Sequence, residues 1–400
     1  MKKIIVLISI VLLFVYLSFN FIKYKTSNSN DSITFASWGS QSEVSVINEV
    51  IEDFEKKNDI KVKFLHIPQN YFQKIHLLFA SNLEPDVLFI NNQNIQLYIK
   101  ADLLEDLSKY FQNAETDYYA ESLNCFKKDG KLYAIPRDIS NLVLYYNKDI
   151  LNKQDLRLNS IQELAGLAIK ITAKDIWGIN YEEDPLFWIY YLASNGGGVL
   201  SDDKKSIIIN QKESMEAINL YSDLINKYHA APNKAEIGSM TTAQMFINGK
   251  IVMYLGGRWL IPKFNETINF NWGVTEFPAN EQNKVYIDSS GWAISKKSKN
   301  KVKAVELIKF LSSQETMNKF VQSGLIVPAR KDSAKIFMNQ DKNNEPFIEM
   351  LKNAKPTPVN ENYSKINDIL KEKSQIIFTS GVEAEDVFDG KTVNKLESLL

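Results

Sequence analysis

Strand-like apolar runs alternate with helical segments along this chain, and this alternation limits the possible folds more than any other feature. Three early runs have the length and composition of strands: SITFASW (32–38), KVKFLHI (61–67) and PDVLFIN (85–91). The segment after the first run carries Val46, Val50 and Phe54 at helical spacing, and residues 103–111 are predicted as a further amphipathic helix. A second series of the same kind follows residue 150. The pattern predicts an α/β fold.

The chain is long enough for two domains, and its charges are balanced. Its 400 residues exceed what a single core usually fills, so we expect two lobes. Lys and Arg number 47 against 48 Asp and Glu, which leaves no overall electric field that would favour nucleic acid. The single cysteine, Cys125, excludes an internal disulfide and a cysteine-rich metal site.

Residues 1–30 predict export across the cytoplasmic membrane. Lys2 and Lys3 precede an apolar run, 4–19, that is longer than most signal-peptide cores and shorter than most spanning helices. No small-x-small cleavage triplet follows the run, so we expect an uncleaved anchor at the outer face of the membrane. A periplasmic location is the alternative if the segment is cleaved. The Ser/Asn-rich residues 26–31 predict a flexible tether.

Three later stretches each join a strand-like run to a helix through a turn that carries Gly, Trp or Asp. They are YAIPRDISNLVLYYNKDI (133–150), GKIVMYLGGRWLIP (249–262) and SSGWAISKKSKNKVKAVELIKFLSS (289–313). Together they resemble the bacterial extracellular solute-binding proteins of the maltose-binding type, over nearly the whole chain after the N-terminal segment. The resemblance implies a protein that captures a carbohydrate outside the cell by closing about a hinge. It then delivers the carbohydrate to an ABC importer.

The same resemblance implies a two-lobe, type II periplasmic-binding-protein-like fold. Each lobe is expected to hold a mostly parallel sheet flanked by helices, with the ligand cleft at the hinge. The predicted first lobe is 31–138 plus 289–340, and the second is 139–288 plus 341–400. The implied partners are the permease subunits of the importer and, through the N-terminal segment, the membrane. The chain is expected to be a monomer without catalytic activity, cofactor, metal or nucleic acid.

Carbohydrate binding requires flat aromatic faces and planar polar groups in a cleft, and both occur here at strand ends. Trp259, with Gly257 and Arg258 beside it, matches a turn in which the family places a tryptophan against the sugar. Asp138 lies in the first predicted hinge, where the maltose-binding type has an acidic ligand-binding residue. The remaining candidates that the resemblance implies are Trp38, Ser40, Gln41, Glu43, Asn91, Asn92, Gln93, Asp184, Phe187, Trp188, Ser290, Trp292, Arg330 and Tyr363.

Each candidate also has a structural interpretation. Asp138 competes with an intra-hinge ion pair to Arg137, and Asp184 before a proline is typical of a helix N-cap. Arg258 suits a hydroxyl or carboxylate of the ligand as well as it suits solvent. Arg330 suits a carboxylate near the hinge. The consecutive amides at 91–93 are also ordinary turn residues, and the tryptophans are also ordinary core residues.

Other classes of function remain as alternatives. A glycoside-active enzyme would need two carboxylates across one bond, which a sequence does not exclude, although no GxSxG turn or phosphate loop is present. The same fold could bind a metal ion, an anion or a peptide, but the histidines His66, His76 and His229 have no metal-ligand spacing. A third alternative keeps the binding and delivers its signal to a membrane sensor instead of an importer.

Overall fold

The computed structural model of the chain describes residues 32–152, 156, 158–279 and 284–400. In these ranges the fold is α/β, with helices packed around two main sheets. The buried apolar side chains form one cluster that includes strands of both sheets. The predictions of export and anchoring concern residues 1–30, which lie outside the described residues. No helix within the described ranges is long and apolar enough to cross a membrane.

The first sheet combines strands from the early and the late part of the chain, and the second sheet is built from strands between them. The strands are β1 (Ser32–Ser37), β2 (Lys61–His66), β3 (Val87–Asn91), β4 (Lys127–Lys128), β5 (Lys131–Leu132), β6 (Ile135–Ser140), β7 (Leu142–Asn147), β8 (Trp177–Ile179), β9 (Ile251–Gly257), β10 (Trp272–Thr275), β11 (Val285–Ile294), β12 (Val327–Pro328) and β13 (Ala354–Pro356). The first sheet has the order β12-β6-β11-β3-β1-β2, with β13 paired to β11. The second sheet has the order β10-β7-β9-β8, and β4 and β5 form a small hairpin.

The helices pack around these sheets, and the last three elements of the chain are helices. The helices are α1 (Gln41–Asn58), α2 (Tyr71–Ala80), α3 (Asn92–Lys100), α4 (Ala114–Asp117), α5 (Ala120–Asn124), α6 (Ile161–Ile171), α7 (Pro185–Ser194), α8 (Lys212–Asn226), α9 (Lys234–Ile237), α10 (Thr242–Ile247), α11 (Ile261–Thr267), α12 (Lys301–Leu311), α13 (Gln314–Gln322), α14 (Lys331–Gln340), α15 (Glu345–Glu349), α16 (Tyr363–Ser380), α17 (Ala384–Val387) and α18 (Gly390–Glu397). Short 3-10 turns occur at Arg258–Leu260, Lys342–Asn344 and Met350–Asn353.

Helix α1 illustrates how the local sequence sets an element that borders the site. The Ser40 hydroxyl accepts the N–H of Glu43, and the Glu43 carboxylate accepts the N–H of Ser40, which is a capping box. Ile47 and Phe54 belong to the apolar stripe that this helix buries. The helix ends where Asp59 adopts a left-handed conformation with φ 53°.

The polypeptide passes from one sheet to the other at Asn141, which separates β6 of the first sheet from β7 of the second. It returns to the first sheet through β11. Asn141 is buried, and its amide Nδ2 donates to the carbonyl of Phe347 at 2.8 Å, which holds the crossing against the C-terminal part of the chain.

Two details of the predicted fold are corrected. The sheets were expected to be mostly parallel, but β11 is antiparallel to both β3 and β6, and β7 is antiparallel to β9 and β10. The pairing is mixed because β6 leaves for the second sheet and β11 comes back from it, so the two strands run in opposite directions. Parallel pairs do occur, between β1 and both β2 and β3, between β11 and β13, and between β8 and β9.

Residues 103–111 are irregular, with a turn at 108–110 and an isolated bridge at Leu104, so the helix predicted there is wrong. Asp106 accepts hydrogen bonds from the backbone N–H and the hydroxyl of Ser108, at 2.9 and 2.6 Å. The N–H of Glu105 donates to Ile294, and that of Leu107 donates to Leu132. The backbone therefore bonds to neighbouring elements, and the short aspartate bridge supports a turn that competes with helix.

Candidate functional site

A cavity of about 460 Å³ lies where the two sheets meet, and we call it the central cavity. The residues that line it come from the ends of β1, β3 and β9, from the crossing at β6–β7, from β11, from the first turns of α1, α2, α3 and α7, and from the start of β12 and the two residues before it. They are Trp38, Glu43, Tyr71, Phe72, Phe89, Asn91, Gln93, Arg137, Asp138, Ile139, Ser140, Asn141, Leu142, Leu186, Arg258, Trp259, Asp288, Ser289, Ser290, Leu325, Ile326 and Val327. This position at strand ends and at a chain crossing is where α/β folds commonly bind ligands.

Two exposed tryptophans contribute flat apolar faces from opposite sheets. Trp38 follows β1 of the first sheet, Trp259 follows β9 of the second, and each is 44% exposed. Phe89 packs edge-on against Trp38, with ring centroids 6.0 Å apart, and Phe72 also lines the cavity. An indole that is partly exposed at a cavity offers a flat apolar face to a ligand ring. The central cavity can therefore hold a ligand ring between aromatic faces.

Gly257 allows the indole of Trp259 to lie close to the backbone. A Cβ atom at position 257 would be 2.0 Å from Cζ3 of Trp259, well inside van der Waals contact. The carbonyl of Gly257 accepts the hydroxyl of Tyr145 at 2.8 Å, so the turn is also held from the sheet side. Gly257 does not line the central cavity itself. It positions the tryptophan that does.

Arg137 is buried between two carboxylates at the floor of the central cavity. Its Nη1 donates to Oε1 of Glu43 at 2.8 Å, and its Nε donates to Oδ2 of Asp138 at 2.7 Å. The guanidinium lies 5.2 Å from the ring centroid of Phe89 and 5.5 Å from that of Trp292. Burial alone would lower the pKa of Arg137, but the two carboxylates outweigh burial and raise it.

The carboxylate of Asp138 is occupied by groups of the protein. In addition to Arg137 it accepts the hydroxyl of Ser290 at 2.7 Å and the N–H of Ser290 at 3.2 Å. This is the intra-hinge ion pair that the sequence offered as the alternative to ligand binding. The group still lines the cavity, but its lone pairs already have partners that join β6 to β11.

Asp288 is a half-buried carboxylate that the amides after β3 hold in place. Nδ2 of Asn92 donates to its Oδ1 at 2.7 Å, and Nε2 of Gln93 donates to its Oδ2 at 2.9 Å. Burial raises the pKa of Asp288, while hydrogen bonds from these amides and from Thr357 act in the opposite direction. An oriented carboxylate at the wall of a cavity is an acceptor for ligand hydroxyl groups.

Arg258 differs from Arg137 because no carboxylate among the described residues pairs with it. It lines the central cavity, is 7% exposed, and its Nε and Nη1 have no hydrogen-bond partner among the described residues. Its guanidinium lies 5.3 Å from the ring centroid of Phe337, so one face of the group is covered. Burial lowers the pKa of Arg258, although Tyr145 and Asp341 act in the opposite direction.

The central cavity brings together eight of the candidates predicted from sequence. These are Trp38, Glu43, Asn91, Gln93, Asp138, Arg258, Trp259 and Ser290. Glu43, Gln93 and Asp138 are engaged with protein groups as described above. The side-chain oxygen of Asn91 accepts the N–H of Asn94 at 3.1 Å, which caps α3.

The other candidates do not line the central cavity. Ser40 and Asp184 are helix N-caps, of α1 and α7, and Gln41 is an exposed residue of the first turn of α1. Asn92 is buried behind Asp288, and Phe187 is half-buried against the core.

Three aromatic candidates and one arginine lie elsewhere. Trp188, Trp292 and Tyr363 are core residues, exposed by 4% or less. Arg330 forms ion pairs with Asp332 and with Asp117 on a different part of the surface.

Sequence reasoning missed Asp288, Phe72 and the apolar residues at 325–327, which also line the central cavity. A polar residue inside the apolar strand VYIDSSGW was the available signal for Asp288. Phe72 has no comparable signal, because an aromatic residue in the first turn of an amphipathic helix is usually core. Within the described ranges, no group of three or more His, Cys, Asp or Glu residues could hold a metal ion.

Comparison with known proteins gives the same picture of the fold. The sequence profile of a family described as bacterial extracellular solute-binding protein matches residues 49–347. The galactooligosaccharide-binding protein of Bacillus subtilis (strain 168) is 24% identical over 368 residues, which cover 88% of this chain and 84% of that protein. The maltodextrin-binding protein MdxE of the same organism is 23% identical over 371 residues, with 88% and 86% covered.

Solved structures of two-lobe binding proteins share the architecture. The ABC substrate-binding protein Lmo0181 from Listeria monocytogenes, in complex with cycloalternan, superposes with a TM-score of 0.81 and 24% identity, covering 92% of this chain and 99% of that one. Maltose-bound T. maritima MalE3 gives a TM-score of 0.77 with 24% identity and the same coverage. The two-lobe α/β fold with a cleft at the crossing, predicted from sequence, is confirmed.

Proposed function

We propose, because the chain belongs to the family of bacterial extracellular solute-binding proteins, that its central cavity captures a carbohydrate for an ABC importer. The observation that carries this proposal is the pair of exposed tryptophans, one from each sheet, at the walls of a cavity with polar side chains at its floor. Relatives named for galactooligosaccharide, maltodextrin and maltooligosaccharide binding support the choice of carbohydrate.

The chemistry of the cavity suits a sugar. The C–H face of a sugar ring is apolar and packs on an aromatic plane, while its hydroxyl groups need oriented acceptors and donors. Trp38 and Trp259 supply the planes. The Asp288 carboxylate, fixed by two amides, supplies an acceptor whose direction is set before the ligand arrives.

Closure about the crossing at Asn141 is the proposed mechanism. Trp38 and Trp259 belong to different sheets, so a ligand that touches both favours the conformation in which the two are close. We propose that the first lobe is 31–138 plus 289–340 and that the second is 139–288 plus 341–400. These divisions fall within or beside β6, β11 and α14.

The remaining parts of the proposal concern location, oligomeric state and partners. We propose an exported monomer, anchored by residues 1–30 at the outer face of the membrane, that docks on permease subunits in its closed form. The chain itself performs no catalysis, and the ligand leaves unchanged. Curated relatives described as solute-binding lipoproteins of an ABC transporter support this role.

A thermal-shift panel tests the proposal. The purified full-length chain is kept in a detergent without a sugar headgroup, so that the detergent does not compete for the cavity. It is screened against neutral oligosaccharides, acidic saccharides, polyols, peptides and metal ions. A ligand that binds only the folded chain stabilises it by about 2.7 kcal/mol at a hundred times its Kd. A shift with saccharides is expected, and the saccharide recovered after heating should be chemically unchanged.

The Trp38→Ala variant tests whether the saccharide binds in the central cavity. Removal of one aromatic plane should reduce the shift caused by the responding saccharide, while the shift caused by an excluded osmolyte such as trimethylamine N-oxide should stay as it was. A panel in which only peptides or metal ions raise the melting temperature would contradict carbohydrate binding. A saccharide shift that Trp38→Ala leaves intact would contradict this site.

A further inference from the structure

Arginine is rare in this chain, and the arginines that the structure describes are used in a consistent way. Of 47 basic residues only four are arginine, and three of these, Arg137, Arg258 and Arg330, lie in the described ranges. Arg137 donates to Glu43 and Asp138, and Arg330 donates through Nε and Nη2 to the two oxygens of Asp332. Both use the planar guanidinium to bind carboxylate, for which its fork geometry is suited.

Arg258 is the exception, although it is buried like Arg137. It is 7% exposed, and no described residue accepts a hydrogen bond from it. Tyr145 and Asp341 are the nearby groups that could have accepted a hydrogen bond from Arg258, but neither does so. The hydroxyl of Tyr145 donates to the carbonyl of Gly257, and Asp341, although its charge influences the pKa of Arg258, forms no ion pair with it among the described residues. A buried cation without a partner is costly, and proteins seldom retain one without a use.

Because Arg258 lies at the wall of the central cavity, its free N–H donors are available to a ligand there. Arg258 lines the cavity and is adjacent in sequence to Trp259, the aromatic wall on the same sheet. No lysine of the described ranges lines the cavity, and the charge of Arg137 is already balanced by two carboxylates. Arg258 is thus the one described cation at the cavity wall with hydrogen bonds left to donate.

We infer that the ligand is an acidic saccharide whose carboxylate or phosphate group binds Arg258 while its ring packs on Trp259. This inference rests on the proposed function, since it names the class of carbohydrate that the same cavity receives. A neutral hydroxyl group would satisfy one hydrogen bond but leave the buried charge unbalanced. An anionic group accepts from two guanidinium nitrogens at once and balances the charge.

Two matched pairs of probes test the inference, and each pair differs mainly in charge. The first is trigalacturonate and its methyl-esterified form, which removes the carboxylate charge. The second is trehalose 6-phosphate and trehalose. Affinities are measured by calorimetry for the full-length wild type and for Arg258→Met, which keeps the length of the side chain and removes its charge, and for Arg258→Lys, which keeps the charge and loses the fork.

In the wild type at least one acidic probe should bind roughly tenfold or more tightly than its neutral partner. The ratio of acidic to neutral affinity should fall about 10- to 100-fold in Arg258→Met and by a smaller factor in Arg258→Lys. Which pair shows the effect distinguishes a uronate from a sugar phosphate.

Three results overturn the inference. In the first, the acidic and the neutral probe of each pair bind the wild type with equal affinity. In the second, Arg258→Met has the same ratio of acidic to neutral affinity as the wild type. In the third, none of the four probes binds at millimolar concentration. A neutral oligosaccharide that raises the melting temperature of wild type and Arg258→Met equally would retain the proposed function and reject the acidic ligand. A panel in which no saccharide binds would reject the proposed function itself.

Discussion

Two buried arginines line the same cavity, and their replacement by methionine should change the stability of the ligand-free protein in opposite directions. Arg137→Met leaves the buried Asp138 and the half-buried Glu43 without their cation. Loss of one partner of a buried ion pair costs about 3–5 kcal/mol. Arg258→Met removes a cation that has no hydrogen-bond partner among the described residues, so it should increase stability, by about 1–2 kcal/mol.

The packing of the two side chains makes methionine a fair replacement at both positions. The stem of each arginine is buried, and the guanidinium of Arg258 covers the ring of Phe337 while that of Arg137 covers Phe89. A methionine side chain retains most of this apolar contact, since the sulfur atom also packs well on aromatic rings. The difference between the two variants therefore reports the charge and its partners more than the loss of packing.

Differential scanning calorimetry measures the effect, because each kcal/mol moves Tm by about 2–4 °C in a chain of 150–250 residues and by somewhat less in a longer one. Bound saccharide would mask the result, so every variant is unfolded, washed and refolded before the scan. The reasoning is refuted if Arg258→Met melts below the wild type, or if Arg137→Met melts at the same temperature as the wild type.

Three further predictions concern the cavity wall and a half-buried carboxylate, Glu182. Trp259→Ala should weaken saccharide binding by about 2 kcal/mol, close to 30-fold in Kd, whereas Tyr228→Ala, an exposed aromatic outside the cavity, should leave calorimetric Kd unchanged. Gly257→Ala should displace the Trp259 indole and weaken binding to a similar degree, and the double variant should be no weaker than Trp259→Ala alone. Burial raises the pKa of Glu182, so the folded state holds more protons than the unfolded state above the usual carboxyl pKa, and stability falls as pH rises through that range. Glu182→Gln should therefore gain stability relative to the wild type as the pH rises above the usual glutamate pKa, measured by urea titrations at several pH values; a wild type that loses no more stability than Glu182→Gln over this rise would contradict the reasoning.

Most of the secondary structure could be predicted because periodicity and caps agree along this chain. Helix α1 was expected over 44–56 and runs from Gln41 to Asn58, and α12 was expected over 302–311 and runs from Lys301 to Leu311. The failure at 103–111 has a clear cause. Its apolar residues have helical spacing, but its backbone N–H groups bond to Ile294 and Leu132, which are distant in sequence and could not be foreseen.

Part of the lining of the candidate site could be predicted from sequence, and there is a physical reason why some candidates line the central cavity and others do not. Trp38 and Trp259 follow apolar strands directly, so the α/β pattern alone puts them at strand ends. Trp188 and Trp292 have equally suggestive neighbours but are fully buried. Burial depends on which elements pack over a side chain, and that is a property of the tertiary fold.

Most polar candidates at the central cavity are already hydrogen-bonded to other groups of the protein. The amides at 91–93 and the hinge carboxylate Asp138 were expected to contact ligand because of their types, yet the structure uses them to cap α3, to orient Asp288 and to balance Arg137. Arg258 could not be ranked from sequence, since a hydroxyl, a carboxylate and solvent suited it equally. That its Nε and Nη1 have no hydrogen-bond partner among the described residues could be found only from the positions of the residues that surround it. In a preformed cavity a ligand can satisfy polar groups that the protein leaves unpaired, and in the central cavity these include the Arg258 guanidinium and Oδ1 of Asn141. Of these two groups only Arg258 carries a charge, so it is the more informative about the charge of the ligand.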